Sequence, residues 1–290
     1  MEHRRHRPMI ALIVGSLSVC AASACITYDV RQSSLVPVAA PPPPPPPQLT
    51  RSGVDAYVGD RTVTFLGRPE LAPNERAGLW IPRTQLNGAL SYAWPRVAFR
   101  TVWLVGLAEG ATAAAPTTLP NPGDAVIGFG PGVVVHATSP ESRLTLSFGV
   151  DTLVLSVPSY VIATCTSYCD EDGLADGAVV ERHQRDAVSL YALSVTAGWR
   201  IDDTTTLGGV VSMQNHPTNV ERFTSDAADA EVQDGPLNVI VGANVEVRIV
   251  PWLSAIAELS WPVTAEPVRY GPIVGVGLRA GTGTRASAEP

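Results

Sequence analysis

The sequence predicts an all-β protein: an up-and-down antiparallel β-barrel of about ten strands. Three observations predict it. Apolar and polar residues alternate with a period of two, the alternating segments come in pairs, and short turns alternate with long loops. Residues 236–262, PLNVIVGANVEVRIVPWLSAIAELSWP, show the pattern most clearly. From Val239 to Ile249 every odd-numbered position is apolar, whereas the even-numbered positions, apart from Ile240, are polar or glycine.

Ten segments of the chain alternate in this way. The predicted strands are 56–66, 84–94, 96–106, 125–137, 143–154, 188–200, 205–214, 238–249, 252–261 and 270–279. The long connections, rich in Pro, Gly, Asp, Ala and Thr, are 67–83, 107–124, 155–187 and 215–237. An even number of strands puts both ends of the barrel domain, residues 55–280, on the short-turn side. A polar C-terminal tail, 281–290, follows the domain.

Aromatic residues are sorted by strand end. The tryptophans beside short turns are Trp94, Trp199 and Trp252, and the aromatic residues near long loops are Trp103, Tyr191, Trp261 and Tyr270. Two aromatic bands that bound an apolar belt are typical of strands that cross both interfaces of a membrane. A soluble sandwich would instead gather its tryptophans in one core.

The N-terminus has the three parts of a secretory signal peptide, residues 1–24. Residues 3–7 are basic, Met9–Val19 is apolar, and Ala22-Ser23-Ala24 supplies small residues before Cys25. The apolar part is too short for a convincing transmembrane helix. The boundary has two interpretations. An ordinary signal peptidase would leave Cys25 as a free first residue, whereas the boundary also resembles a bacterial lipobox, in which Cys25 would be acylated.

A proline-rich linker follows the expected lipid anchor, within residues 25–54. The segment LVPVAAPPPPPPP (35–47) ends in seven consecutive prolines. Such a run favours the polyproline II conformation, with a rise of about 3.1 Å per residue. We expect it to act as a semi-rigid spacer between the anchor and the folded domain.

Two later cysteines, Cys165 and Cys169, lie close together in CTSYC. In an exported chain, neighbouring cysteines of this kind predict a disulfide. A metal site is the alternative, but it would need two more ligands, and the only nearby candidate is His183.

Charge excludes one class of function. All 20 basic residues are arginine, and the 290-residue chain has a formal net charge of −7. Removal of residues 1–24 leaves 17 arginines against 26 acidic residues, a net charge of −9. A chain this acidic has no general affinity for nucleic acid.

Two hairpins carry a resemblance to a known family. The segments GWRIDDTTTLGGVVS (198–212) and VEVRIVPWLSAIAELS (245–260) resemble the periplasmic hairpins of bacterial outer-membrane β-barrel proteins. The resemblance covers about residues 56–280. It implies insertion into the outer membrane by the outer-membrane assembly machinery, contact with membrane lipid, and a structural, surface-interaction or small-solute role. The alternative is a soluble β-rich periplasmic lipoprotein, a sandwich or closed barrel, that acts as a binding module around an apolar core.

Charged residues on the polar face form the candidate site, the lumen. The candidate lumen-facing charges are Arg96, Arg100, Arg143, Asp151, Arg200, Glu246, Arg248, Glu258 and Arg279. Arginines near the short turns could form a basic mouth that favours anions. The other interpretation, which we favour, is that a narrow barrel is filled by side chains and paired charges.

The sequence predicts neither an enzyme nor a cofactor nor a metal site. His136 lies at a short-turn end, and His183 and His216 lie in loops whose acidic residues would be near any side chain there. The acids around residues 170–176 lack the Asp-x-Asp-x-Asp-Gly order of a calcium loop. The glycines of GFGPG (128–132) fall inside a strand and suit close packing rather than phosphate binding.

Overall fold

The structure is a computed structural model. It describes residues 27–35, 37, 41–48, 52–65, 77–108, 112–113, 124–167, 179–215, 220–221, 232–233, 237–263 and 270–282. The chain divides into two compact units, residues 1–31 with 161–182 and residues 32–160 with 183–290. The described residues of the first unit are all in strands. Among the described residues, no helix is long and apolar enough to cross a membrane.

Fifteen strands are assigned in the described residues. They are β1 Thr27–Leu35, β2 Gly53–Phe65, β3 Ala77–Ile81, β4 Thr84–Ala93, β5 Val97–Leu107, β6 Thr112–Ala113, β7 Ala125–His136, β8 Leu144–Ser167, β9 Val179–Arg200, β10 Thr205–Asn215, β11 Val220–Glu221, β12 Val232–Gln233, β13 Leu237–Val250, β14 Leu253–Pro262 and β15 Tyr270–Gly281.

The ten long strands from β2 onward form a closed antiparallel ring. Their order around the ring is β2, β4, β5, β7, β8, β9, β10, β13, β14, β15, and β15 pairs with β2 to close it. Each strand therefore neighbours the next long strand along the chain, which is the up-and-down order. The predicted fold class, an all-β barrel of about ten strands, is confirmed.

The apolar face of each strand is the outer face. In β13, Val241 and Ile249 are 43% and 59% exposed, whereas Asn238 and Ile240 are 2% and 0% exposed. The same alternation of exposed and buried positions runs along β5 and β7. A soluble barrel or sandwich with an apolar core would need the opposite arrangement, because its apolar face would have to point inward.

Two strands are longer than the sequence pattern predicts. The segment 155–187 was expected to be a loop, but β8 continues to Ser167 and β9 begins at Val179. The residues after Val154, LSVPSYVIATCTS, include several β-branched and aromatic side chains, which favour extended pairing over a loop. The other long connections contain only the short strands β3, β6, β11 and β12 within their described residues.

One close approach between backbones fixes the β7–β8 pair. A Cβ atom added at Gly130 would lie 1.8 Å from the backbone oxygen of Thr152. Gly130 lies between two pairs that share one register, Phe129 with Val154 and Gly132 with Asp151. Glycine is therefore needed for packing inside this strand, as the sequence suggested for GFGPG.

The turn between β9 and β10 is closed by a carboxylate. Asp202 Oδ1 accepts hydrogen bonds from the backbone N–H groups of Thr204 and Thr205, both at 2.7 Å, and from Thr204 Oγ1 at 2.8 Å. The Thr204 hydroxyl, followed by the two backbone donors, lowers the pKa of Asp202 below its ordinary value. The sequence DDTT thus specifies the short turn.

Candidate functional site

The first part of the site is a buried ion pair between β5 and β8. Arg100 Nε donates to Asp151 Oδ1 at 2.7 Å and Arg100 Nη2 donates to Asp151 Oδ2 at 2.5 Å. Both side chains are 1% exposed. This two-point contact is the strong geometry for a guanidinium and a carboxylate.

A glycine on the strand between them lets this pair form. Arg100 pairs with Gly132 on β7, and Gly132 pairs with Asp151 on β8. A Cβ atom at Gly132 would lie 2.0 Å from Asp151 Oδ1 and 3.0 Å from Arg100 Cγ. Since glycine has no side chain, the two charged groups meet above the middle strand.

The same arrangement occurs a second time, on β2, β15 and β14. Arg61 pairs with Gly275, and Gly275 pairs with Glu258. Arg61 Nε and Nη2 donate to Glu258 Oε2 at 2.9 and 2.7 Å, and the Tyr57 hydroxyl donates to Glu258 Oε1 at 2.8 Å. Arginine, glycine and carboxylate on three adjacent strands therefore form a repeated unit of the lumen.

A third buried arginine, Arg279, lies near the short-turn end of β15. Its Nη1 donates to Glu246 on β13, and its Nε lies 3.5 Å from Asp55 Oδ1 on β2. The side chains of Arg279 and Asp55 are each 4% exposed. Three arginines are thus held in the lumen by carboxylates, so their remaining donors point in fixed directions.

Those remaining donors bind a segment that precedes the barrel. Residues 41–48, PPPPPPPQ, are named the proline segment below. The arginine-to-proline contacts are Arg61 Nη2 to Pro41 O at 3.2 Å, Arg100 Nη1 to Pro42 O at 3.2 Å, and Arg279 Nη2 to Pro43 O at 3.2 Å and to Pro44 O at 3.0 Å.

The chemistry of proline and arginine explains these hydrogen bonds. Proline has no backbone N–H, and polyproline II makes no internal hydrogen bonds, so every carbonyl in the segment needs an external donor. A guanidinium has five N–H donors, and a carboxylate uses only two or three of them. Pro42, Pro45 and Gln48 are buried. The expectation of a spacer between an anchor and the barrel therefore does not describe residues 41–48, which lie against the arginines of the lumen.

A cavity of about 120 Å³ remains beside the proline segment. It is bounded by Pro43–Pro47 on one side and by β8, β9, β10 and β13 on the other. Its charged lining residues are Arg200, Asp203, Glu246, Arg248 and Arg279. A polar cavity of this size has room for several water molecules or one small solute.

The remaining predicted charges lie in two settings. Arg200 and Arg248 are half-buried beside the cavity, and Arg200 Nη2 donates to the carbonyls of Pro140 and Ser142 in the turn between β7 and β8. Arg96 and Arg143 are exposed at the short-turn end. The nine candidate charges therefore divide into groups inside the lumen and groups at its rim.

The remaining predicted positions are cysteines and histidines. Cys25, Cys169 and His216 lie outside the described residues, and for Cys165 and His183 only the backbone is described. His136 is buried at the end of β7, with Nδ1 at 2.8 Å from Ser147 Oγ.

Sequence reasoning missed part of the lumen. Asp55, Tyr57 and Arg61 all point inward from β2 and are 3%, 1% and 3% exposed. Their odd-numbered spacing, with Gly59 between them, was the available signal, but β2 has a weaker apolar face than the later strands. No pattern in the sequence indicated that the proline carbonyls would be acceptors for the arginines.

Comparison with known proteins gives fold-level similarity only. No family model matches the chain, and no curated protein matches it. Among solved structures, an outer membrane channel from Pseudomonas putida F1 is 9% identical with a TM-score of 0.44, over 84% of this chain and 100% of that one. The outer membrane protease OmpT from Escherichia coli is 12% identical with a TM-score of 0.39, over 80% and 96%. The N-terminal β-barrel domain of Pseudomonas aeruginosa OprF is 7% identical with a TM-score of 0.33, over 79% and 97%.

Proposed function

We propose that this protein is a bacterial outer-membrane β-barrel whose lumen is closed by its own proline segment. Its role would be structural or at the cell surface, and the residual cavity of about 120 Å³ would hold no more than one small solute. The observation that carries the proposal is the reversal of faces: apolar side chains cover the outside, while ion pairs and prolines fill the inside.

The dimensions of the apolar belt support membrane insertion. Trp252, immediately before β14, and Trp261, near its end, bound the belt and are 60% and 45% exposed. Nine residue steps at about 3.3 Å give roughly 30 Å along the strand. At the usual tilt of about 40° this corresponds to roughly 23 Å along the barrel axis, close to the height of about 25 Å that membrane barrels show.

Fractionation tests insertion directly. The full-length protein is expected to stay with membranes after washing in alkali or urea, and to migrate faster on gels before heating than after. A matched pair of variants sharpens the test: Val276→Arg lies mid-belt at 61% exposure, and Glu141→Arg lies in an exposed turn. Only Val276→Arg should impair insertion, by about 2–4 kcal/mol. Release by alkali, or equal behaviour of the two variants, would refute membrane insertion.

Conductance tests closure of the lumen. The full-length protein in planar bilayers is expected to carry no steady current, because the proline segment and the ion pairs occupy the lumen. A variant without residues 41–47 should conduct, whereas a variant without residues 283–290 should not. If the full-length protein and the variant without residues 41–47 carry equal currents, the segment does not close the barrel.

Two covalent features complete the proposal. We propose that Cys25 is acylated and that Cys165 and Cys169 form a disulfide, as their sequence context suggests. Labelled palmitate should be incorporated by the full-length protein and by Cys20→Ala, but not by Cys25→Ala. Non-reduced protein should contain no thiol at positions 165 and 169 that reacts with maleimide under denaturing conditions. Incorporation by Cys25→Ala, or reactive thiols, would remove the corresponding feature.

A further inference from the structure

We infer that the polypeptide passes through its own barrel from the long-loop end to the short-turn end. The residues before the proline segment would then lie on the same side of the membrane as the long loops, at the cell surface. This inference rests on the proposed function for the membrane itself, but its path through the barrel is argued from contacts within the chain.

The upstream residues are held at the long-loop end. Residues 32–35 of β1 pair in parallel with β3, with Gln32 opposite Ala77 and Leu35 opposite Trp80. Strand β3 belongs to the connection between the end of β2 and the start of β4. That connection is one of the long ones, so residues 32–35 lie beyond the long-loop rim.

The barrel begins at the opposite end. Gly53, the first residue of β2, pairs with Ala93, the last residue of β4. Ala93 adjoins the short turn in which Trp94 N donates to Val97 O at 2.7 Å. Between Leu35 and Gly53 the chain therefore runs from the long-loop end of the barrel to the short-turn end.

The proline segment covers the distance between the two ends. The Pro41 carbonyl accepts a hydrogen bond from Arg61. Arg61 is next to Thr62, which pairs with Thr84, the first residue of β4, at the long-loop end of the barrel. Pro44 binds Arg279, two residues from the short-turn end of β15. Pro43–Pro47 border the same cavity as the short-turn residues Pro140 and Asp203.

The length of the segment agrees with this path. Eight residues at a rise of about 3.1 Å span roughly 25 Å, the height of the apolar belt. Cys25 lies seven residues before Gln32 and can reach at most about 25 Å from it. If Cys25 is acylated, its acyl chain would therefore be tethered within that distance of Gln32.

Cysteine labelling of intact cells tests this path. Ser33→Cys and Ser34→Cys, introduced singly with Cys165→Ser and Cys169→Ser, sample both faces of β1 because neighbouring strand residues point in opposite directions. Ser225→Cys reports the long connection between β10 and β13, and Asp202→Cys reports a short turn. Each is treated with a membrane-impermeant maleimide before and after permeabilisation, and compared with the parent chain without an introduced cysteine.

The expected result is that positions 33, 34 and 225 react in intact cells, while position 202 reacts only after permeabilisation. If positions 33 and 34 follow position 202 instead, the path through the barrel is wrong. If positions 202 and 225 react alike, the membrane topology of the proposed function fails, which is a distinguishable outcome. An epitope inserted between Val30 and Arg31 gives a second measurement, and failure of antibodies to bind it on intact cells would also overturn the inference.

Discussion

The ion pair between Arg100 and Asp151 is the sharpest test of how the lumen is stabilised. Both side chains are 1% exposed, and each guanidinium–carboxylate contact is 2.7 Å or shorter. Arg100→Met keeps an aliphatic stem but leaves a buried carboxylate without its partner. Breaking a buried pair in this way costs about 3–5 kcal/mol, a fall of roughly two to four powers of ten in the folding equilibrium constant.

The measurement is urea unfolding of the barrel folded into lipid vesicles, followed by tryptophan fluorescence and by gel mobility without heating. Arg143→Met is the matched control, because Arg143 is exposed at the rim and its loss should change the free energy of unfolding by no more than about 0.5 kcal/mol. The double variant Arg100→Met with Asp151→Asn should be more stable than Arg100→Met alone, since it no longer buries an unpaired charge. A loss below about 1 kcal/mol for Arg100→Met, or a double variant that is less stable than Arg100→Met, would refute the reasoning.

Three further predictions concern single contacts. Gly130→Ala should lower the free energy of unfolding by about 1–3 kcal/mol, because its Cβ would meet a backbone oxygen at 1.8 Å, whereas Gly209→Ala, 3.8 Å from its nearest atom, should have little effect in the same urea assay. Tyr57→Phe should cost about 1.5–3 kcal/mol, because its hydroxyl donates to a carboxylate, and an unchanged urea midpoint would contradict this. The pKa of Asp202 is lower in the folded chain, so its contribution to the free energy of unfolding is present above its unfolded pKa and is lost as pH falls through the folded pKa. The free energy of unfolding should therefore fall less between pH 7 and pH 3 in Asp202→Asn than in the original chain, and an equal fall in both would contradict this.

The sequence was sufficient for the fold because alternation alone defines strands. Each of the ten predicted strands corresponds to an observed one; the strand predicted at 238–249, for example, is observed at Leu237–Val250. Only β8 and β9 extend well beyond the predicted bounds, into the segment 155–187. The alternation could not say which face is outside, and that required the closed ring. In the ring, Ile240 is fully buried, so the one apolar exception on the polar face of β13 is explained by a position inside the barrel.

The candidate site was predicted less completely, because its contacts join strands that are not adjacent. Arg100 and Asp151 were each expected in the lumen, but their pairing depends on Gly132, which belongs to the strand between them. Arg61 belongs to the same kind of unit through Gly275, and it was missed because β2 is weakly patterned. A search for arginine, glycine and carboxylate at matched heights on three successive strands would have found both units.

The proline segment also constrains how the barrel can assemble. It precedes β2 by a few residues, and β2 pairs with β15 to close the ring, so we expect the segment to dock in the lumen before β2 and β15 pair. Proline suits this order because it is already extended and loses little conformational entropy on docking. Replacing the seven prolines by a Gly/Ser run of equal length should therefore slow the formation of the fast-migrating folded species and lower the free energy of unfolding. At about 0.4–1 kcal/mol per proline, the loss would be up to roughly 3–7 kcal/mol. A Gly/Ser replacement of seven residues of the C-terminal tail is the control. A variant without the seven prolines that folds as fast and as stably as the original would show that the rigidity of the segment has no part in closure.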